Sequence, residues 1–263
     1  MRTYYINLDR RPDRRDRMDA LAKARGLDVT RIAAVDAAAA DFSTLAQDMM
    51  RKGPTGEMSD GTVACTLSHF KTWKTFVDDP SAGDHAVVLE DDVVLAPSTR
   101  QVLADLSAAH LAGYGLVKLE LFDTMTKGAF VGRTVPLSDG FALRDSFQIL
   151  AGAAAYVITR DLARRLLDYR SAIRVPIDHF LFYPRAVPGF WGGPYAVLDP
   201  PVAQQDPTTV SDIAAVRNVG SKRKRAWSRF GYEAAQTPLI LRKLLAGQAR
   251  LVKFDGTQIV ATD

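Results

Sequence analysis

The run Ala86-Val87-Val88-Leu89-Glu90-Asp91-Asp92-Val93-Val94-Leu95 decides the fold. Its first residues are apolar and partly β-branched, the composition of a strand buried on both faces of a sheet. Three consecutive carboxylates follow, and then a second apolar run. Acidic triples ordinarily sit in solvated turns after edge strands. Here the flanks place the acids at the end of an internal strand, where three buried negative charges are very costly without a cation. A divalent metal is the most direct balance, and such a metal commonly carries a phosphate or diphosphate. In extended backbone Glu90 and Asp92 point to one side and Asp91 to the other. Two same-side carboxylates can share Mn²⁺ or Mg²⁺, while the third accepts from a ribose or a backbone amide. Asp92 is the expected main ligand, with Glu90 (or Asp91) assisting.

Outward from that run, strands and helices alternate. Residues 3–8 read as a strand, and Pro12 then sits in the first turn of a helix that runs to Arg25 and is ended by Gly26. Residues 29–35 read as a second strand and residues 36–60 as a short helix and a loop. Val63, Leu67, Phe70, Trp73 and Val77 share one face of a helix over 63–77. A helix over 99–110 and a strand over 116–121 complete another β-α-β unit. Residues 141–148 read as irregular β structure, and 152–159 as a small-residue strand leading into a helix over 161–169. Residues 175–206 read as loop-rich, with a short apolar helix after Asp178 and prolines at 176, 184, 188, 194, 200 and 201 and another at 207. The class is α/β: a Rossmann-type, mostly parallel sheet flanked by helices. Ligands of such sheets collect at the carboxyl ends of strands, where the acids fall. The expected division is a main domain over 1–212 and a basic helical tail over 213–263.

Composition sets the outer limits. The chain has 263 residues, 47% hydrophobic and 24% charged, enough for a large core. One cysteine, Cys65, allows no internal disulfide. No apolar stretch approaches the roughly 18–20 residues of a membrane span. The first eight residues lack the apolar core of a signal peptide, so a cytoplasmic location is expected. The net charge of +4 is unevenly placed: residues 217–253 hold ten Lys/Arg against one acid, Glu233. A basic tail on a near-neutral body points to an anionic surface and to no specific nucleic acid.

Four further sites carry chemistry. Asn7 and Arg10 stand at a strand end that leads into clustered arginines, a cradle for a diphosphate. The other arginines read as a surface helix laced with ion pairs such as Asp13–Arg17 and Arg15–Asp19. Ser68 and His69 lie in the 63–77 helix, Ser68 opposite its apolar stripe and His69 on the shoulder; both are candidates for the donor site. Asp178 follows Pro176 and precedes an aromatic run. It is either a helix cap or a general base facing a pocket in which Tyr183, Phe190 and Trp191 offer stacking faces. Glu120, at a strand end, is the second candidate acid.

In this order the motifs resemble glycosyltransferase family 25. The matching residues are Tyr5-Ile6-Asn7-Leu8-Asp9-Arg10-Arg11 with Asp13-Arg14, Ala64-Cys65-Thr66-Leu67-Ser68-His69 with Trp73, and Val88-Leu89-Glu90-Asp91-Asp92. Lys118-Leu119-Glu120, the stretch from Gly152 to Ile158, and Val175-Pro176-Ile177-Asp178 follow, so the resemblance covers about residues 3–212. Thr62 and Ala64 depart from it, standing where the family pattern has an acid and a glycine. The resemblance implies a GT-A fold and inverting transfer of a hexose from a uridine diphosphate sugar, usually galactose or glucose. It implies as acceptor a saccharide or glycolipid of lipopolysaccharide or another cell-surface glycan, and gives the acidic triple the role of the DxD-like metal motif.

The tail carries its own signal. Lys222-Arg223-Lys224-Arg225 precedes Trp227, Phe230 and Tyr232, and Thr237-Pro238 opens a helix. Leu241, Leu244, Leu245, Leu251 and Val252 fall on one side of it, and Arg242, Lys243, Arg250 and Lys253 on the other. Such a helix can lie in an anionic membrane interface, which would make the protein peripheral on the cytoplasmic face of the inner membrane. Two rival readings stand beside the transferase. One is a metal-dependent nucleotide-sugar phosphohydrolase; the other is a non-catalytic membrane- or anion-binding module on a degenerate scaffold.

Overall fold

The computed structural model describes residues 1–106, 108–111, 113–120, 129–147, 150–183, 195–206, 234 and 237–252. The chain opens with β1 (Arg2–Asn7), α1 (Pro12–Ala24), β2 (Val29–Ala33), α2 (Phe42–Leu45), β3 (Lys52–Gly53), β4 (Gly56–Glu57) and α3 (Asp60–Asp78). Next come β5 (His85–Glu90), β6 (Val93–Leu95), α4 (Thr99–Asp105), α5 (Ala108–Leu111), β7 (Leu116–Lys118), β8 (Ala129–Pro136) and β9 (Ala142–Ser146). Then β10 (Ala155–Thr159), α6 (Arg160–Leu167), α7 (Ile177–Phe182), β11 (Tyr195–Asp199), β12 (Ala203–Gln205), α8 (Thr237–Leu245) and β13 (Arg250–Val252) follow.

A nine-stranded sheet in the order β13-β8-β9-β11-β7-β10-β5-β1-β2 is the frame. The strands β2, β1, β5, β7, β11 and β8 run one way, and β10, β9 and β13 run against them. The expected α/β class holds, with most strands sharing one direction. Alternation along the central strands feeds two cores. Tyr4, Ile6, Ala86 and Val88 face α3, α6 and α7, packing with Trp73, Phe76, Leu162 and Phe180. Tyr5, Val87 and Leu89 face the other side, with Met18 of α1 and Val102 of α4. Burial on both faces explains why β5 reads as a continuous apolar run.

Local chemistry places the helices at this frame. Pro12 opens α1, and Gly26, at φ 62, lies just past its end in a conformation that favours glycine. Ser59 caps α3 by accepting from Thr62 N at 3.3 Å. Strands β1 and β5 pair in parallel with Ile6 opposite Glu90, so Asn7 and the acidic triple emerge at the same sheet edge.

Three expectations are corrected. The helix expected over 99–110 is broken at Leu106, whose ψ of 90 is extended, giving α4 and α5. The proline-dense 175–206 segment is not only loop and short helix: besides α7 it holds β11, which enters the sheet between β9 and β7. The tail helix stops at Leu245, ahead of Gly247 at φ 65, and Arg250–Val252 pairs with β8 as an edge strand. Leu251 and Val252 therefore belong to a strand rather than to the helix's apolar side. The boundary at residue 212, the Lys222–Arg225 cluster, Trp227, Phe230, Tyr232 and Lys253 lie outside the described residues.

Candidate functional site

A cavity of about 360 Å³ opens at the carboxyl ends of β1 and β5. Its floor is Asn7, Glu90, Asp91 and Asp92; Cys65, Ser68 and His69 of α3 form one wall. Ala34, Val35, Ala37 and Ala38 give an apolar side, and Arg10 and Asp36 stand at the rim. The acids expected to close a strand do so: Glu90 ends β5, and Asp91 and Asp92 follow it at 7% and 6% exposure.

The three acids are treated differently. Asp91 is neutralised within the protein, accepting from Asn7 Nδ2 at 2.7 Å and from Arg14 Nη1 at 3.0 Å. Asp92 takes one hydrogen bond on Oδ2 from Gln205 Nε2 at 2.7 Å, and its buried Oδ1 has no partner. Burial first, and the charge of Glu90 next, push the Asp92 carboxyl up to about 7. Glu90 Oε1 lies 3.2 Å from His69 Nε2 and 4.0 Å from Cys65 Sγ. One orphaned carboxylate oxygen with a second carboxylate on the same cavity floor is a set that fits a hard divalent cation. Cys65, His69 and Glu90 also bring one sulfur, one nitrogen and one oxygen within 4.8 Å of one another.

Other expected site residues are placed as follows. Asn7 is 1% exposed and fully engaged: Nδ2 also donates to Arg11 O at 3.1 Å, and Oδ1 accepts from Arg31 Nε at 2.9 Å. It holds the floor together and has no amide hydrogen left for a diphosphate. Arg10 sits at the rim, paired with Asp36 at 2.8 Å. Ser68 is buried, donates to Ala64 O and accepts from Val35 N at 2.9 Å, which ties α3 to the apolar side of the cavity. The burial of Cys65, followed by the charges of Glu90, Asp178 and Asp92, pushes its thiol well up, so it is not a thiolate nucleophile.

Asp178 lies in the first turn of α7, with Pro176 at the cap position. Its carboxylate accepts from Gly152 N at 3.2 Å and His179 N at 2.8 Å. Glu120 sits behind Gly152, wholly buried, with Oε1 accepting from Lys118 Nζ at 2.6 Å and Ala154 N at 3.2 Å. A general base must reach the acceptor, and at 0% exposure Glu120 presents no oxygen to the surface, although its Oε2 is buried without a partner. Tyr183 is likewise buried at 1% exposure and offers no stacking face; Phe190 and Trp191 lie outside the described residues.

Two site residues were not expected. Arg14 is buried against Asp91, and its signal is present in the sequence: Arg14, Met18 and Ala22 form one buried stripe at i, i+4, i+8 of α1. Gln205 reaches Asp92 from 113 residues away, and nothing in the sequence marks it.

Residues 1–181 match the sequence model of the family described as Glycosyltransferase family 25 (LPS biosynthesis protein). A "Glycosyltransferase 25 family member" of Aedes aegypti is 26% identical over 197 residues, covering 68% of this chain and 30% of that protein. "Procollagen galactosyltransferase 2" of Mus musculus is 34% identical over 97 residues, covering 34% of this chain and 15% of that protein. The chain spans less than a third of the length of the curated relatives it matches. A glycosyltransferase involved in glycosylating the major capsid of PBCV-1 superposes with a TM-score of 0.42 at 10% identity, covering 88% of this chain and 97% of that one.

Proposed function

The chain belongs to glycosyltransferase family 25, and from that premise we propose that it transfers a hexose from a nucleoside diphosphate sugar to a hydroxyl of a saccharide acceptor. The donor is uridine diphosphate galactose or glucose, and the acceptor a lipopolysaccharide or other cell-surface glycan. The observation that carries this reading is the uncompensated pair Glu90 and Asp92, with Asp92 Oδ1 orphaned, on the floor of a cavity at the strand ends. Asp92 and Glu90 would hold Mn²⁺ or Mg²⁺, whose charge neutralises the diphosphate and stabilises it as a leaving group.

The chain's own residues do the rest. The cavity's apolar side receives the nucleoside, and Arg10 at its rim is placed to meet the negative diphosphate. Asp178 is the base: it takes the proton of the acceptor hydroxyl as that oxygen bonds to the anomeric carbon. The bond from that carbon to the diphosphate oxygen breaks on the opposite face, with inversion. Asp178 stands outside the residues that line the cavity, and its support is chemical: a carboxylate whose charge, with those of Glu90 and Asp92, acts on Cys65.

A panel of nucleotide sugars, each with Mn²⁺ and with and without saccharide acceptors, tests this. The expected result is Mn²⁺-dependent donor binding and acceptor-dependent transfer, with Asp92→Ala abolishing both while the fold persists. Unchanged turnover in Asp92→Ala overturns the metal assignment. Release of sugar phosphate at a rate indifferent to acceptor favours the phosphohydrolase instead.

The tail's partner is an anionic membrane surface. Leu241 and Leu245, one turn apart on α8, are 52% and 89% exposed beside Arg242, and Leu251 is 60% exposed next to Arg250. Exposed leucines among cations suit an acidic lipid interface, where each cation contributes about 1 kcal/mol. Among the described residues no helix is long and apolar enough to cross a membrane. Co-sedimentation with vesicles containing phosphatidylglycerol is expected, and it should fall several-fold in Leu241→Ser/Leu245→Ser. Equal binding to neutral vesicles sinks the electrostatic half of the proposal.

A further inference from the structure

Behind Glu90 lies a file of buried polar groups that the transfer reaction does not use. Trp73 Nε1 is 2.9 Å from Tyr156 Oη, Tyr156 Oη is 2.8 Å from His69 Nδ1, and His69 Nε2 is 3.2 Å from Glu90 Oε1. Trp73, Tyr156 and His69 are each 0% exposed, so their hydrogen bonding is made within the protein interior. The rings of His69 and Tyr156 also stack, at 5.8 Å and 24°.

The direction of every proton in this file follows from donor chemistry. An indole N–H can only donate, so Tyr156 Oη accepts from Trp73. The phenol's own hydrogen then needs an acceptor, and His69 Nδ1 is the other group in reach. That leaves Nδ1 bare and the ring proton on Nε2, which donates to the Glu90 carboxylate. With a proton on Nδ1 instead, two donors would converge on Tyr156 Oη and its hydroxyl hydrogen would be buried with no acceptor. The same logic bears on the grouping of Cys65, His69 and Glu90. A ring with its proton on Nε2 cannot offer that nitrogen to a metal.

We propose that His69 is a positioning residue, locked as the Nε2–H tautomer by Tyr156 and Trp73, that pins Glu90 Oε1 and so leaves Glu90 Oε2 to the cation shared with Asp92. The role at the cation rests on the functional reading above; the tautomer does not. Carboxylate ligands are commonly oriented by such hydrogen bonds, and loss of the partner weakens metal binding by about 10- to 100-fold. Of the neighbours of His69 on α3, Ser68 is committed to Ala64 O and Val35 N, and Cys65 Sγ reaches Glu90 Oε1 only at 4.0 Å, as a weak thiol donor.

Two measurements on the whole protein decide it. Long-range ¹H–¹⁵N correlation of the metal-free wild type reads the His69 tautomer directly. A protonated Nε2 and bare Nδ1 are expected, and a protonated Nδ1 overturns the proposal. Calorimetric titration with Mn²⁺ then compares His69→Gln, whose terminal amide can still donate, with His69→Leu, which cannot. His69→Gln should bind within about threefold of the wild type and His69→Leu about tenfold more weakly, with both variants folded by circular dichroism. Wild-type affinity in His69→Leu overturns the positioning role. If the wild type itself binds no Mn²⁺, the metal-dependent transferase reading fails, and the tautomer still decides whether the relay exists.

Discussion

Two buried carboxylates about thirty residues apart in sequence, Asp92 and Glu120, stand on the same sheet and have opposite fates. Glu120 is sealed at 0% exposure, and its charge is met by Lys118, itself 0% exposed. That lysine also donates to Gly152 O and lies 4.3 Å over the Phe182 ring. Among the described residues no ion pair reaches Asp92: Arg14 pairs with Asp91 and acts on Asp92 more weakly than the like charge of Glu90 does. Both carboxyls are pushed up by burial. Each carboxylate keeps one buried oxygen without a partner, Glu120 Oε2 and Asp92 Oδ1, but the charge of Glu120 is met by Lys118 and that of Asp92 stands beside a cavity. An open buried charge is a standing cost, and its persistence at a strand end is the mark of a place meant to be completed by something else.

The sharpest way to break that contrast is to make one chemical change in both places. Glu120→Gln removes the charge that Lys118 needs and leaves a buried ammonium uncompensated. A loss of about 3–5 kcal/mol is expected by urea denaturation. Replacing both partners by apolar groups, Lys118→Met with Glu120→Leu, should recover most of it, because neither charge then remains buried. A Glu120→Gln variant as stable as the wild type would show that the pair is not closed as described.

The same carboxylate-to-amide change at Asp92 should have the opposite sign. With its folded-state carboxyl at about 7 against 3.8 for the ordinary group, the folded protein keeps a proton that the unfolded chain has lost between those values. Stability of the chelator-treated protein therefore falls as pH rises from about 4 to 7, and levels off above that. Asp92→Asn has no such slope. At pH 8 it should be more stable than the metal-free wild type by about 1–3 kcal/mol, and near pH 4 no more stable. Mn²⁺ should raise the melting temperature of the wild type and leave that of Asp92→Asn unmoved.

What the sequence disclosed follows the range of the interactions. The end of β5 was legible because its signal is local: an apolar run followed by acids. The helix α3 was legible from one apolar stripe. Strand β11 was not, because Pro194, Pro200 and Pro201 flank a short run whose strand character comes from pairing with β7 and β9. Strand β13 is three residues long and exists by pairing with β8, whose own pairing with β9 shifts register between Val131 and Thr134. At the site, the acids could be named, but their partners come from 77 and 113 residues away. Arg14 could have been recovered from the stripe it shares with Met18 and Ala22; in the sequence it falls among the neighbours Asp13–Arg17 and Arg15–Asp19, whose spacing suggests surface ion pairs instead.

Gln205 gives the finest test of the contrast, because among the described residues it is the side chain that hydrogen-bonds the Asp92 carboxylate. Its amide on Asp92 Oδ2 works against burial and against Glu90, favouring the ionised form. Gln205→Leu removes that donor and leaves the negative charges where they are, so the Asp92 proton must be held to higher pH. A cation has to displace that proton to bind, and its apparent affinity then depends on pH over a higher range than in the wild type. Mn²⁺ titrations at pH 6, 7 and 8 should show Gln205→Leu several-fold weaker at the two lower values and nearing the wild type at the highest. An affinity deficit constant across pH would mean that Gln205 merely packs against the site. A deficit that closes as pH rises would mean that the chain sets, through one amide on β12, the pH at which its open charge becomes available.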